Sequence, residues 1–219
     1  MKLVAALHGA HPGPVLRAPA LRTALAAGGA TRLQVNVDDE AVAPAMRFGP
    51  GTPITAAVSV WTTDPAAALH VLQEVDDSLD AWLVEEREPI PPPVVPDGER
   101  ADALANLAFL RRPATMSPEA WRSDWLERHT PVAIATQGTF GYVQNPVLET
   151  LTPGGRDVAG IVEELFPMAG MSDQHAFYGS GGDDAELQRR FTVLMDSCAR
   201  FGAAEGLDLV PTSRFGFAL

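Results

Sequence analysis

Glu88-Pro89-Ile90-Pro91-Pro92-Pro93-Val94-Val95-Pro96-Asp97-Gly98 divides this chain in two. Five prolines remove five backbone donors and favour extended, semi-rigid geometry, so the stretch reads as a connector rather than a packed element. Residues 1–100 hold 13 acids and 7 bases, and residues 101–219 hold 15 and 9. Each side therefore carries −6, and neither is a charged tail. The reading is two packed modules, residues 1–88 and 101–219, joined by a linker over 89–100.

Composition supports two ordinary globular halves. The 219 residues are 46% hydrophobic and 20% charged, enough apolar surface to bury a core. A net charge of −12 repels phosphate backbones, so nucleic acid is an unexpected partner. No apolar run is long enough to span a membrane. Met1 to Leu7 reaches His8 before a secretory core is complete, so a cytoplasmic location is expected. Cys198 is the single cysteine, which excludes an internal disulfide and a multi-cysteine zinc site.

In the second half, Ala105–Leu110 reads as a strand. Ser117-Pro118 starts a helix: a hydroxyl N-cap, proline at the first helical position and Glu119 in the first turn. Trp121, Trp125 and His129 follow at four-residue steps until Pro131 disturbs the pattern. Thr139–Val143 and Gly160–Phe166 read as strands with a turn-rich stretch, residues 151–156, between them. Ser172 begins a short helical piece, and Gly179-Ser180-Gly181-Gly182 is a turn before a long helix over about 183–201. Leu207–Phe217 closes as a strand despite Pro211. The first half gives the same order: strands at Leu3–Leu7, Arg32–Val37, Ile54–Trp61 and Ala81–Glu88, with helices at Val15–Ala27 and from Asp64 to Val75. Each half would form a four-stranded antiparallel sheet with helices on one face. Packing the two bare faces together predicts an enclosed space between the sheets.

Phe109-Leu110-Arg111-Arg112-Pro113, then Met116-Ser117-Pro118-Glu119-Ala120-Trp121, then Trp125-Leu126-Glu127-Arg128-His129-Thr130-Pro131-Val132-Ala133 together resemble the EthD family. Gly141-Tyr142-Val143-Gln144-Asn145 and Gly160-Ile161-Val162-Glu163-Glu164-Leu165-Phe166 look like its second and third strands. The likeness spans most of residues 105–217; residues 1–100 lack the Trp-x-x-x-His pattern. The resemblance implies an α+β fold of two ferredoxin-like modules in tandem, forming an intrachain dimeric α+β barrel. It also implies cofactor-independent dehydratases, cyclases or isomerases of aromatic or polyketide intermediates, and accessory proteins that transform nothing.

Within that frame His129, Tyr142 and Glu163 are the candidate catalytic residues. Imidazole exchanges protons near neutrality, a phenol can donate to a developing oxyanion, and Glu163 could orient His129 or take a proton itself. Each has a bland counterpart: a helix-terminal histidine, a tyrosine with a wet hydroxyl, an edge glutamate. Glu163 and Glu164 face opposite ways on a strand, so at most one points into the barrel. Phe109, Arg111, Trp125, Phe140, Gln144, His8, His175 and Tyr178 are the candidate substrate-binding residues. Under the duplication, His8 and Arg111 occupy corresponding strand ends. His175, Phe177 and Tyr178, flanked by Met168 and Met171, lie where a lid would cover a cavity. No ligand spacing for a metal is present, and no cofactor is expected. The expected reaction is proton abstraction next to a carbonyl, leading to dehydration, aldol cyclisation or isomerisation, with lyase chemistry as the nominal choice. One rival is a binding protein that shelters a hydrophobic intermediate; another, implied by relatives of the resembled family that hold haem, is a cofactor-dependent oxygenase. The expected partner is a small aromatic ligand, and a homodimer through the outer helices is compatible with the pattern.

Overall fold

Period-two runs of small and β-branched residues make nine strands, and a computed structural model describes them over residues 1–152, 157–204 and 206–219. In the first half β1 (Lys2–Leu7), β2 (Ala30–Val37), β3 (Ala56–Thr62) and β4 (Asp80–Val84) form the sheet. The helix expected over Val15–Ala27 is two: α1 (Gly13–Leu16) and α2 (Pro19–Ala27). Pro19 explains the break, because the residue before a proline is pushed out of the helical region, and Ala18 is extended at ψ 143°. Asp64 caps α3 (Pro65–Gln73) by accepting from the Ala67 amide at 3.0 Å. The strand expected over Ala81–Glu88 also divides: β4 stops at Val84, and β5 (Arg87–Ile90) is a separate short strand that includes the start of the proline-rich connector.

The second half follows with β6 (Leu104–Leu110), α4 (Pro118–Ser123), a π-helical segment at Asp124–His129, α5 (Thr130–Thr136), β7 (Gly141–Thr150), β8 (Gly160–Phe166), α6 (Gln174–Tyr178), α7 (Asp184–Arg200) and β9 (Asp208–Ala218). Ser117 caps α4 as the sequence indicates, and Asp183 caps α7. β7 runs seven residues past the expected Val143. Of the turn-rich stretch before β8, residues 153–156 lie outside the described residues.

Among the described residues every strand pairing is antiparallel. The strands run β4-β1-β3-β2 in the first half and β9-β6-β8-β7 in the second, the same order twice. Pairing of β2 with β9 and of β4 with β7 closes eight strands into a barrel. β5 adds to β7 beside β4, opposite Tyr142 and Gln144.

Alternation then sorts side chains into three apolar layers. Leu3, Ala5, Leu33, Val35, Val58 and Val60 face outward beneath α2 and α3. Ala108, Leu110, Tyr142 and Val162 face outward beneath Trp121, Trp125, Leu194 and Phe201 of the second-half helices and their flanks. Val4, Ala57, Trp82, Leu107, Phe109, Ile161 and Val210 point inward. The chamber expected between the sheets is therefore filled. An eight-stranded barrel is just wide enough for its own side chains, and Trp82 packs on Phe109 with ring centroids 5.9 Å apart. The remaining interior is polar: Gln34 donates to both oxygens of Glu163 (3.0 Å), Asn36 donates to Glu163 Oε1 (2.9 Å) and to Thr212 Oγ1 (3.0 Å), and Arg214 lies 3.2 Å from the same carboxylate.

Candidate functional site

A cavity of about 280 Å³ lies on the other side of the second-half sheet, between its outer face and the helices. A neighbouring space of about 260 Å³ shares Met46, Asn106, Phe177, Tyr178, Phe191 and Leu209 with it. The π segment sets one wall. Pro131 has no N–H to give one turn back, and the Thr130 amide instead reaches the Trp125 carbonyl, widening the turn. Thr130 Oγ1 donates to that carbonyl too (3.0 Å) and accepts from Gln144 Nε2 (2.7 Å), which pins the wide turn to β7. Trp125 and His129 both line the cavity from this segment. Trp125 can approach the sheet because residue 160 is glycine: a Cβ there would sit 2.3 Å from the indole ring.

Glu164 projects from β8 into this space with Tyr142 beside it. Its side chain is half-buried where it lines the cavity, and burial pushes its pKa up to about 7. With its amide nitrogen turned to the acceptors, Gln137 donates to Glu164 Oε1 (3.0 Å) and to the Ala133 carbonyl (3.2 Å), which partly offsets that rise. Burial and the nearby Glu164 charge hold the Tyr142 phenol well above its ordinary range, so it stays protonated. Burial and then the Arg200 charge push His129 down to about 4, leaving a neutral imidazole. Cys198, raised to about 12 by burial, is a thiol and not a nucleophile. Among the described residues, two buried polar atoms on the lining lack a hydrogen-bond partner within bonding distance and angle: Asn106 Oδ1 and Trp125 Nε1, the latter beside the Tyr142 side chain. Unsatisfied buried groups are uncommon in folded proteins and mark places where a ligand or water completes the bonding.

The structure brings His129, Tyr142, Trp125 and Tyr178 together and leaves the other candidates apart. Glu163 does not meet His129: it points into the barrel, bonded to Gln34 and Asn36. Phe109 also points inward. Gln144 supports Thr130 from behind rather than facing a ligand. Arg111 is paired with Asp208 at 2.6 Å and borders a separate cleft with Arg112 and Arg200. His8 contacts Asp80 (3.3 Å) and the Pro53 carbonyl (3.1 Å) in the first half, so it does not face Arg111 across a cavity. Phe140 is partly exposed, and His175 bonds Ser180 Oγ at 2.6 Å at the turn. The segment expected to cover the inner chamber instead lines this outer cavity, with Phe177 stacked on Phe166 (4.2 Å) and Tyr178 edge-on to Phe191 (5.9 Å).

Sequence reasoning missed Glu164, Gln137, Asn106 and the two residues that the first half supplies at the mouth, Met46 and Phe48. Phe48 is anchored there by backbone bonds to Leu209 (3.3 and 2.7 Å). The alternation rule already placed Glu164 opposite Glu163; what it could not tell is that the helix side holds the cavity.

No family model matches the chain, and no curated protein resembles it in sequence. Solved structures resemble it in fold. An anthrone oxidase-like protein aligns with TM-score 0.59 and 10% identity over 99% of this chain and 92% of the other. A presumptive monooxygenase of Lactobacillus acidophilus NCFM gives 0.50 and 8% over 99% and 95%. Another, from Fusobacterium nucleatum subsp. nucleatum ATCC 25586, gives 0.52 and 6% over 98% and 91%. The shared property is the fold: an α+β architecture whose closed eight-stranded antiparallel barrel is here formed within one chain. Among the described residues no helix is long and apolar enough to cross a membrane.

Proposed function

We propose that the chain is two ferredoxin-like modules in tandem, the second of the EthD type, and an enzyme that takes a proton from carbon next to a carbonyl in a small aromatic or polyketide-like molecule. The reading rests on one observation: a carboxyl with a pKa of about 7, Glu164, opens into an apolar cavity beside a neutral phenol and two unpartnered polar atoms. A general base works best with a pKa close to the working pH. Glu164, rather than His129, is therefore the base, and the Tyr142 hydroxyl donates to the enolate oxygen. Asn106 Oδ1 would accept from a ligand hydroxyl and Trp125 Nε1 would donate to a ligand oxygen. The reaction needs no cofactor for this step.

The enolate leads by loss of water, ring closure or reprotonation to lyase, cyclase or isomerase products. The names of the structural neighbours favour a second reading, in which the enolate meets dioxygen. There the substrate CH₂ becomes C=O, O₂ is reduced, and one oxygen atom leaves as water. Incubation with anthrone and with linear poly-β-ketone analogues, followed by oxygen-electrode and mass measurement, separates them. Oxygen uptake with a product that gains one oxygen and loses two hydrogens supports oxidation. Loss of water or an isomer of unchanged mass supports the first reading. Tight binding with unaltered ligand supports an accessory protein instead.

A further inference from the structure

His129 lines the cavity, and its Nδ1 meets a row of side chains behind it. Nδ1 lies 3.0 Å from Ser197 Oγ. Ser197 Oγ also accepts from Arg200 Nη2 at 3.1 Å, and Arg200 is held in turn by Asp124, with Nε and Nη2 each 3.3 Å from Oδ1. The protons on this row can be counted. A guanidinium only donates, so Arg200 occupies one of the two acceptor positions on Ser197 Oγ. Ser197 is buried, and its hydroxyl proton still needs an acceptor. Helical Thr23 and Thr136 send theirs to the carbonyl one turn back, at 3.0 and 2.7 Å. Among its described contacts Ser197 makes no such bond, and His129 Nδ1 is the acceptor within reach.

We infer that Ser197, oriented by Arg200 and Asp124, donates to Nδ1 and holds His129 as the tautomer protonated at Nε2, so that this histidine gives a hydrogen bond to a ligand oxygen rather than taking a proton. Ser197 is the positioning residue, and His129 is the group that would touch the ligand. Packing supports the assignment: the ring lies 4.6 Å from Phe201, fixing its plane. The neutral state of the imidazole supports it as well, since a doubly protonated ring could not accept from serine. The inference goes beyond the choice of base, and its catalytic consequence rests on the proposed proton abstraction. Two donors, Tyr142 and His129 Nε2, would then serve the enolate oxygen that Glu164 generates.

Long-range proton–nitrogen NMR on nitrogen-15-labelled protein at neutral pH tests the tautomer without any substrate. The expected spectrum has His129 Nε2 protonated and Nδ1 bare. Ser197→Ala should mix the two tautomers, and Ser197→Thr should restore one. With an active substrate, Ser197→Ala should lower kcat about tenfold with KM little changed, and His129→Leu should lower it by about 10²–10³, the usual worth of an oxyanion donor. A proton on Nδ1 in the wild-type protein overturns the inference, as does an unaltered His129 spectrum in folded Ser197→Ala. Should Ser197→Ala not fold, the wild-type spectrum decides alone. Retained turnover in Glu164→Gln would instead sink the proton-abstraction reading and leave the tautomer standing.

Discussion

Glu164 and His129 carry opposite pH signatures, both because burial penalises their charged forms. Activity that depends on ionised Glu164 should rise with pH through about 7. A kcat/KM profile checks this, and Glu164→Gln should abolish the limb together with most turnover, a loss of about 10²–10⁴ for a general base. Stability runs the other way. Glu164 has a folded pKa above the unfolded 4.5, so the native state binds more protons between about 4.5 and 7, and stability falls as pH rises through that window. Glu164→Gln should therefore stabilise the protein at pH 8, by up to about 3 kcal/mol, and do little near pH 4. His129, depressed from 6.5 to about 4, makes stability fall as pH drops through 6.5 towards 4. Below 6.5 the two slopes oppose each other; thermal melts of each single variant across this range resolve them.

The element that builds the site is the wide helical turn over Asp124–His129, seated on β8 through Gly160. A methyl at position 160 would overlap the Trp125 ring at 2.3 and 2.5 Å, and Trp121 stands 3.1 Å away. Both indoles are fully buried and packed on each other at 5.0 Å, so neither can simply swing aside. Gly160→Ala should cost about 1–3 kcal/mol by overpacking and shift tryptophan fluorescence, with weakened ligand binding by titration; a silent substitution would show that the helix rides more loosely. The Ser-Pro start and the Trp-x-x-x-His spacing of this helix were readable in the sequence. The π turn was not, because a proline at position 131 signals a disturbance without saying whether the helix ends, kinks or widens. The bonds from Thr130 to Trp125 and from Gln144 to Thr130 decide that.

For the whole molecule, the two seams β2–β9 and β4–β7 make each half the cover of the other. From β8, Glu163 joins the halves inside the barrel, tied to Gln34 and Asn36 of the first and to Arg214 of the second. Its removal leaves Arg214 buried without its carboxylate. Glu163→Leu should destabilise by about 3–5 kcal/mol in a denaturant melt, while turnover per folded molecule stays near wild type. A large loss of turnover in folded protein would return Glu163 to the chemistry. The same closure explains the filled interior, since two inward faces of an eight-stranded barrel leave room for their own side chains and little else.

By itself the sequence determined the repeated order of strands and helices, the capped helix carrying Trp125 and His129, and the opposite facing of Glu163 and Glu164. Each follows from local rules, namely period-two alternation, capping chemistry and the restriction proline places on its neighbours, which act over a few residues. Only the tertiary structure decided which face of the second sheet holds a cavity, which glutamate meets it, and that Met46 and Phe48 from the other half stand at its mouth. Those outcomes depend on how much volume remains once distant segments pack together, and no short stretch of chain records that.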